Sequence, residues 1–316
     1  MFLVAGATGA IAAYSQTHIA GQDAAGLYSA SFVHRFVNAV SAVGFYVRST
    51  IWPAGLHIDC RAVTAFWPIG AAGNLISLAV AIVLFMLSVF RFRLALFAAV
   101  WFLVSLLPTV GLLGSFGIEA HADRFAYLPS MAFAIFLVPF LARLTARRAA
   151  ITVSVVLAVL TFCQLSYWRD DAVAHERALA CDPQHPRAMV HVADSLCSRR
   201  HDFDGGIAMY RKALTLADTV PKGGFNVGDV QARLAYALVS RGLPGDFQEV
   251  KRLGAKVLAD FRNDRRGMML DALGTAFMHD GDFKRAALLF KASIDAPDRF
   301  WPKATTSHKL QQCMSM

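Results

Sequence analysis

Long apolar runs fill the chain as far as Trp168, and short amphipathic segments replace them after it. Four of the runs are long enough to cross a ~30 Å hydrocarbon layer as helices. They are Pro68 to Phe90, Leu94 to Gly114, Phe125 to Leu144 and Ala150 to Tyr167, each with few charges. The short loops between them predict antiparallel neighbours. A fifth apolar run, Met1 to Ala13, has no basic segment before it and so reads as a membrane helix rather than a signal peptide. Its roughly fifteen residues reach only ~22 Å. The expectation is therefore that the chain begins inside a longer helix. Gly6, Ala10 and Ala13 share one face of it and predict close packing against a neighbour.

Between the first and second runs, Phe32 to Trp52 is too apolar for a simple loop. Phe36, Val37, Val40, Val43 and Val47 recur at helical spacing, while His34, Asn38, Ser41 and Arg48 fall mainly elsewhere. Two readings stand: an amphipathic helix lying in the interface of the outer face, ended by Trp52-Pro53, or a surface helix packed on the bundle.

Beyond Trp168 small residues return at regular intervals, the mark of stacked helical hairpins of the tetratricopeptide type. Ala178-Leu179 with Pro183 closes one unit. Val192-Ala193 and Leu196 open the next, which continues through Gly206, Tyr210 and Ala213 with a slip of about one residue. Leu234-Ala235 and Leu238 open a more degenerate unit whose second helix runs from about Asp246 to Asp260. Leu273-Gly274, Phe277, Ala286, Phe290 and Pro297 form the best copy. Here a small residue in the first helix admits the second, aromatics fill the gap and proline ends the hairpin. The steps from Ala193 to Ala235 to Gly274 exceed the ideal period of about 34 residues, so segments such as Thr219 to Gly228 must loop out.

These patterns predict an all-α protein: a transmembrane helix bundle over residues 1–168, followed by a tetratricopeptide-repeat array of helical hairpins over 169–316. Composition agrees. Of 316 residues, 56% are hydrophobic and 17% charged, beyond the range of ordinary soluble domains. The net charge of +9 raises nucleic acid as a partner, but the basic residues lack interleaved aromatics and several lie in turns between apolar runs. Positive-inside topology accounts for them instead. Arg91 and Arg93 lie in one turn, and Arg143, Arg147 and Arg148 lie two spans later, on the same side. With those turns cytoplasmic, the loop from Ser115 to Arg124 and everything after Tyr167 face the periplasm or a lumen. Tyr167 and Trp168 mark the exit as an interfacial aromatic belt.

The five cysteines, Cys60, Cys163, Cys181, Cys197 and Cys313, form no CxxC pair and no zinc-type spacing with histidine, so no metal site is expected. In an oxidising compartment Cys181 and Cys197 could pair. No phosphate-binding, dinucleotide-binding or hydrolase motif occurs. Catalytic residues are not assigned and no cofactor is implied. The densest polar group in the membrane half is Glu119-Ala120-His121-Ala122-Asp123-Arg124. Arg124 there suits a lipid phosphate, because guanidinium donates paired hydrogen bonds to phosphate oxygens, and His121 or Asp123 suits proton transfer. The alternative is an Asp123–Arg124 pair that fixes the loop at the head of the next helix. Arg48 suits a lipid headgroup, or simply snorkels to the interface.

Several phrases occur in a particular order. They are His34-Arg35-Phe36-Val37-Asn38-Ala39, Tyr46-Val47-Arg48 with Trp52-Pro53, Trp101-Phe102-Leu103 with Leu106-Leu107-Pro108, Ala122-Asp123-Arg124-Phe125-Ala126-Tyr127-Leu128-Pro129, and Tyr167-Trp168-Arg169-Asp170. Followed directly by the repeats, this order resembles the transmembrane and tetratricopeptide-repeat proteins related to GT-C-type O-mannosyltransferases. The resemblance implies a polyprenyl-phosphate-linked sugar as donor and an acidic catalytic residue in the first extracytoplasmic loop. No acidic residue here stands in that N-terminal context, so the chain looks like the C-terminal part of such a protein. Two functions follow as expectations. One is a membrane-anchored, extracytoplasmic repeat protein that binds a protein or peptide on its concave face. The other is part of a protein O-glycosyltransferase that uses a polyprenyl-phosphate sugar, with the repeats presenting the acceptor.

Overall fold

In a computed structural model of the chain, the described residues are 32–51, 58, 60–61, 75–76, 78–79, 82–83, 86, 93–107, 109–110, 119–121, 123–132, 147–217, 225–258, 265–296 and 301–315. Their regular structure is helical apart from one short pair of strands. The chain divides into two compact units, Met1–His185 with Asp218–Phe225, and Pro186–Ala217 with Asn226–Met316.

In the first unit, helix α1 (Phe32–Ile51) buries Ala42, Phe45 and Tyr46 in a cluster with Ala98, Phe102 and Leu106 of helix α2 (Arg93–Leu106) and with Val110 and Ala132. Its packed face shares Val43 and Val47 with the valine stripe that the spacing predicts, and extends beyond it onto Ala39 and Ala42. Ser41 and Ser49 are buried with the alanines, whereas Phe32, Val33 and Phe36 stay at least half exposed. Small and weakly polar side chains let helices approach closely.

Helix α2 stops at Leu106 rather than continuing to Gly114. Pro108 has no N–H to donate and disfavours helical backbone in the residue before it. The chain turns instead, with the amides of Thr109 and Val110 both donating to the Leu106 carbonyl at 2.8 and 3.1 Å. Helix α2 is therefore an apolar helix shorter than a full span.

Helix α3 (Arg147–Leu165), extended by the 3₁₀ turn Ser166–Trp168, is long and apolar enough to cross a membrane over Ile151–Trp168. None of that stretch is buried, which sets it apart from the core helix of a soluble domain. Among the described residues it is the one helix that qualifies. The first apolar run, most of Pro68 to Phe90, and 133–144 of the Phe125 to Leu144 run lie outside the described residues. After α3, Asp170 caps helix α4 (Asp171–Cys181) by accepting from the Ala172 amide at 2.8 Å.

The second unit is a series of helices joined by short turns: α5 (Pro186–Arg199), α6 (Phe203–Thr215), α7 (Val227–Arg241), α8 (Pro244–Leu258), α9 (Arg266–His279), α10 (Phe283–Asp295) and α11 (Lys303–Ser315). Each packs on the next, and α7 also packs on α9, which is the contact pattern of stacked hairpins. The sequence sets the ends. Asp202, Asn226 and Asp282 each accept a hydrogen bond from a first-turn amide of the helix they open, at 2.9 to 3.1 Å. Gly242, at φ +75°, closes α7 in the left-handed conformation and donates its amide to the Leu238 carbonyl at 3.0 Å.

Small residues set the helix separations. Ala193 and Ala235 are fully buried in α5 and α7. A Cβ on Gly274 of α9 would lie 2.6 Å from the Phe290 ring of α10, and one on Gly206 of α6 would lie 2.2 Å from Cys197 Sγ of α5. Both glycines stand at positions the repeat pattern reserves for small residues. Helix α11 has no counterpart among the three units read from the sequence, and it covers the end of the series against α10.

Candidate functional site

The first candidate lies in the first unit. Strand β1 (Cys60–Arg61) pairs antiparallel with β2 (Glu119–His121), and helix α1 approaches both β2 and the 3₁₀ turn Asp123–Ala126 that follows. The backbone thus gathers α1, which carries Arg48, and the segment that holds His121, Asp123 and Arg124. Of these residues, His121, Asp123 and Arg124 enter as backbone positions only. The Arg48 side chain is exposed, with its guanidinium 5.6 Å from the centroid of the Phe45 ring. Phe125 and Ala126 pack against the α1–α2 cluster, which ties the turn to the core.

The second candidate is a polar face of the hairpin unit that the sequence reading did not single out. Asp229, Arg233, Tyr236 and Ser240 follow one another on α7 at spacings of four, three and four residues, so they share a face. Arg233 donates from Nε to Asp229 at 2.9 Å and through Nη1 to Asp194 on α5. The Tyr210 hydroxyl on α6 donates to the other oxygen of Asp194 at 2.5 Å. Arg265, at the head of α9, donates to the second oxygen of Asp229 at 2.9 Å. One chain of charge-assisted bonds therefore crosses three successive hairpins. The i,i+4 spacing of Asp229 and Arg233 is the only part of it visible in sequence.

The environment fixes the charge states. Burial pushes the Tyr210 phenol well above its ordinary value, and Asp194 adds to the effect. Burial alone would lower Arg233, but Asp194 and Asp229 more than offset it and keep the guanidinium charged. Cys197 is pushed up to about 11, first by burial and then by Asp194 and Asp202. Its thiol is thus protonated and unreactive at neutral pH. Cys181 and Cys197 are not joined in a disulfide. At the end of α7, Arg241 bridges Asp246 at 2.6 Å and Asp204 at 2.5 Å, and its hydrogen bonds hold the Asp246 carboxyl below the usual range.

A buried network lies beside this face. Asp271 of α9, 1% exposed, accepts from Thr306 Oγ1 at 2.8 Å and from Lys309 Nζ at 2.7 Å, both on α11. The Trp301 indole donates to the same Thr306 hydroxyl at 3.0 Å, and its ring meets Tyr236 edge to face with centroids 5.1 Å apart. Lys309 also donates to Thr275 at 3.1 Å. Tyr236 itself remains 40% exposed.

Chemically, this face holds salt-bridged carboxylates and guanidiniums, a protonated thiol and an accessible tyrosine. The chain matches no protein-family model and no curated protein sequence.

Proposed function

We propose that this protein is a membrane-anchored tetratricopeptide-type repeat protein that binds a protein or peptide partner along the face formed by the first helices of its hairpins, α5, α7 and α9. One observation carries the reading. The polar chain Asp194–Arg233–Asp229–Arg265 runs along successive first helices and leaves Tyr236, Ser198 and Ser240 exposed beside it. Stacked hairpins bury their shared core and leave such a face for a partner. Gly274, Ala286 and Phe290 support the repeat assignment, since they follow the motif's spacing and are packed at its hairpin contact. The unburied apolar helix α3 supports the anchor, with the hairpins extracytoplasmic by the arginine distribution.

The test is site-specific photocrosslinking in the native membrane. A photoreactive residue at Ser198 or Ser240 is expected to trap a discrete protein or peptide. The same residue at Ala208 or Ala255, exposed on the second helices α6 and α8, is expected to trap none. Equal yields from all four positions would contradict the assignment of the face.

A second reading makes the first unit part of a polyprenyl-phosphate-sugar-dependent protein O-glycosyltransferase. The β1–β2 pairing favours it, because it joins two segments that the arginine distribution assigns to one side of a membrane and brings the His121 to Arg124 segment to α1. In that case Arg124→Ala lowers consumption of a polyprenyl-phosphate sugar in membranes by about tenfold or more. Unchanged consumption would remove this reading.

A further inference from the structure

Tyr167 belongs to the last turn of the apolar stretch Ile151–Trp168, and Arg177 follows ten positions later on α4. In one continuous helix that separation would carry Arg177 about 15 Å further along the axis. Asp170 prevents this, because its backbone is extended, at φ −149° and ψ 143°, between the 3₁₀ turn and α4. Helix α4 instead packs back on the turn, and the Arg177 guanidinium lies 4.7 Å from the centroid of the Tyr167 ring. The cation is thereby brought to the depth at which the span ends, where interfacial aromatics meet the lipid headgroups.

Arg177 differs from the arginines of the hairpins. Arg233, Arg241 and Arg265 each meet a carboxylate, whereas among the described residues Arg177 meets a ring and no carboxylate. Its Nε is buried without a hydrogen-bond partner, so an outside acceptor is left the Nη nitrogens. The two aspartates of the bend are engaged elsewhere: Asp170 accepts from the Ala172 amide at 2.8 Å, and the Asp171 carboxylate lies 3.3 Å from His175 Nδ1. Arg169, exposed beside Trp168, adds a second cation at the same exit. A guanidinium that is partly desolvated, stacked on an aromatic ring and without a counter-ion favours an anion with several oxygens, and phosphate matches its fork of donors. We propose that Arg177 and Arg169 bind the phosphate of an anionic phospholipid beside the end of α3, with Tyr167 positioning the Arg177 side chain. The bound lipid fixes the depth of α3 and holds the bend between α3 and α4 at the membrane surface. This inference rests on α3 as the membrane anchor and on no assignment of the hairpin face.

The probe is dioleoylphosphatidylglycerol, with zwitterionic dioleoylphosphatidylcholine as the reference. Each is added to the full-length protein in detergent, and bound lipid is read by native mass spectrometry. The wild type is expected to retain the anionic lipid at least about tenfold more than the zwitterionic one. Arg177→Gln and Arg169→Gln are each expected to cut that preference about fivefold, the contribution of one cation near an anionic surface. Arg169 is exposed, so its variant carries the test without disturbing the fold. Tyr167→Phe keeps the ring and is expected to retain the preference, whereas Tyr167→Leu is expected to lose the part that Arg177 supplies. Equal retention of the two lipids by the wild type overturns the proposal, and so do arginine variants that match the wild type. Displacement of the lipid by millimolar inorganic phosphate also overturns it, by assigning the site to free phosphate. Failure of the anchor shows separately. A chain that stays in the supernatant when membranes are pelleted overturns both the anchor and this site, while a membrane-bound chain without lipid preference overturns this site alone.

Discussion

Gly274→Leu is expected to unfold the third hairpin and with it the cooperative transition of the hairpin unit. Even the first carbon of a side chain at this position would lie 2.6 Å from Phe290 Cε1 and 2.8 Å from Cδ1. Phe290 cannot yield, because it is fully buried between α9, α10 and α11. A four-carbon side chain therefore forces the two helices apart, at a cost of about 4 kcal/mol or more. Gly274→Ala resolves the two opposing terms. Removing a mid-helix glycine gains about 1 kcal/mol of helix propensity, while overpacking costs about 1–3 kcal/mol, so a net loss of about 1 kcal/mol is expected. Gly245→Ala is the control, since nothing lies within 4 Å of its added carbon and no loss is expected. Thermal melts of the three variants would establish the order. A leucine variant as stable as the wild type would show that α9 and α10 do not pack as described.

Asp271→Ala is expected to cost about 3 kcal/mol and to release α11 before the remaining helices unfold. The carboxylate is the shared acceptor for Thr306 and Lys309, and Thr306 in turn accepts from Trp301. Its removal leaves a fully buried hydroxyl short of a partner and an ammonium without its counter-ion. Breaking one side of such a pair is expensive because the other side stays desolvated. Lys309 is 22% exposed and can turn to water, which keeps the figure at the lower end of the 3–5 kcal/mol seen for buried pairs. The melting temperature should fall by roughly 10 °C. Proteolysis within 297–302 should accelerate in the same variant. Asp271→Asn retains an acceptor for Thr306 and should lose less. If Asp271→Ala melts like the wild type, the network does not anchor α11.

The hairpins were legible because their signals are local. The small-aromatic spacing of Gly274 and Phe290 acts within about 20 residues, which a single sequence displays. Helix α11 left no such mark. Its polar contacts, Thr306 and Lys309 to Asp271, join residues 35 and 38 positions apart through side chains that look like ordinary surface residues. The face of α1 was legible in part: Val43 and Val47 of the stripe lie on the packed face, but Ala39, Ala42 and Ser49 are buried as well and Phe36 stays outside. In α2 the apolar run continues past Leu106, but Pro108 ends the helix, so hydropathy alone overstated its length. The Cys60–His121 pairing was invisible in sequence because strand register is a tertiary property. The Asp194–Arg233–Asp229–Arg265 chain was half visible, through the single helical step from Asp229 to Arg233.

Helix α3 as a membrane anchor, with the hairpins on the extracytoplasmic side, is the central proposal. Cys181 is exposed at the end of α4, shortly after the span, and serves as a native reporter. In a variant carrying Cys60→Ser, Cys163→Ser, Cys197→Ser and Cys313→Ser, a membrane-impermeant maleimide should label Cys181 in sealed spheroplasts as fully as after lysis. Labelling that appears only after the membrane is opened would place the hairpins in the cytoplasm and contradict the account.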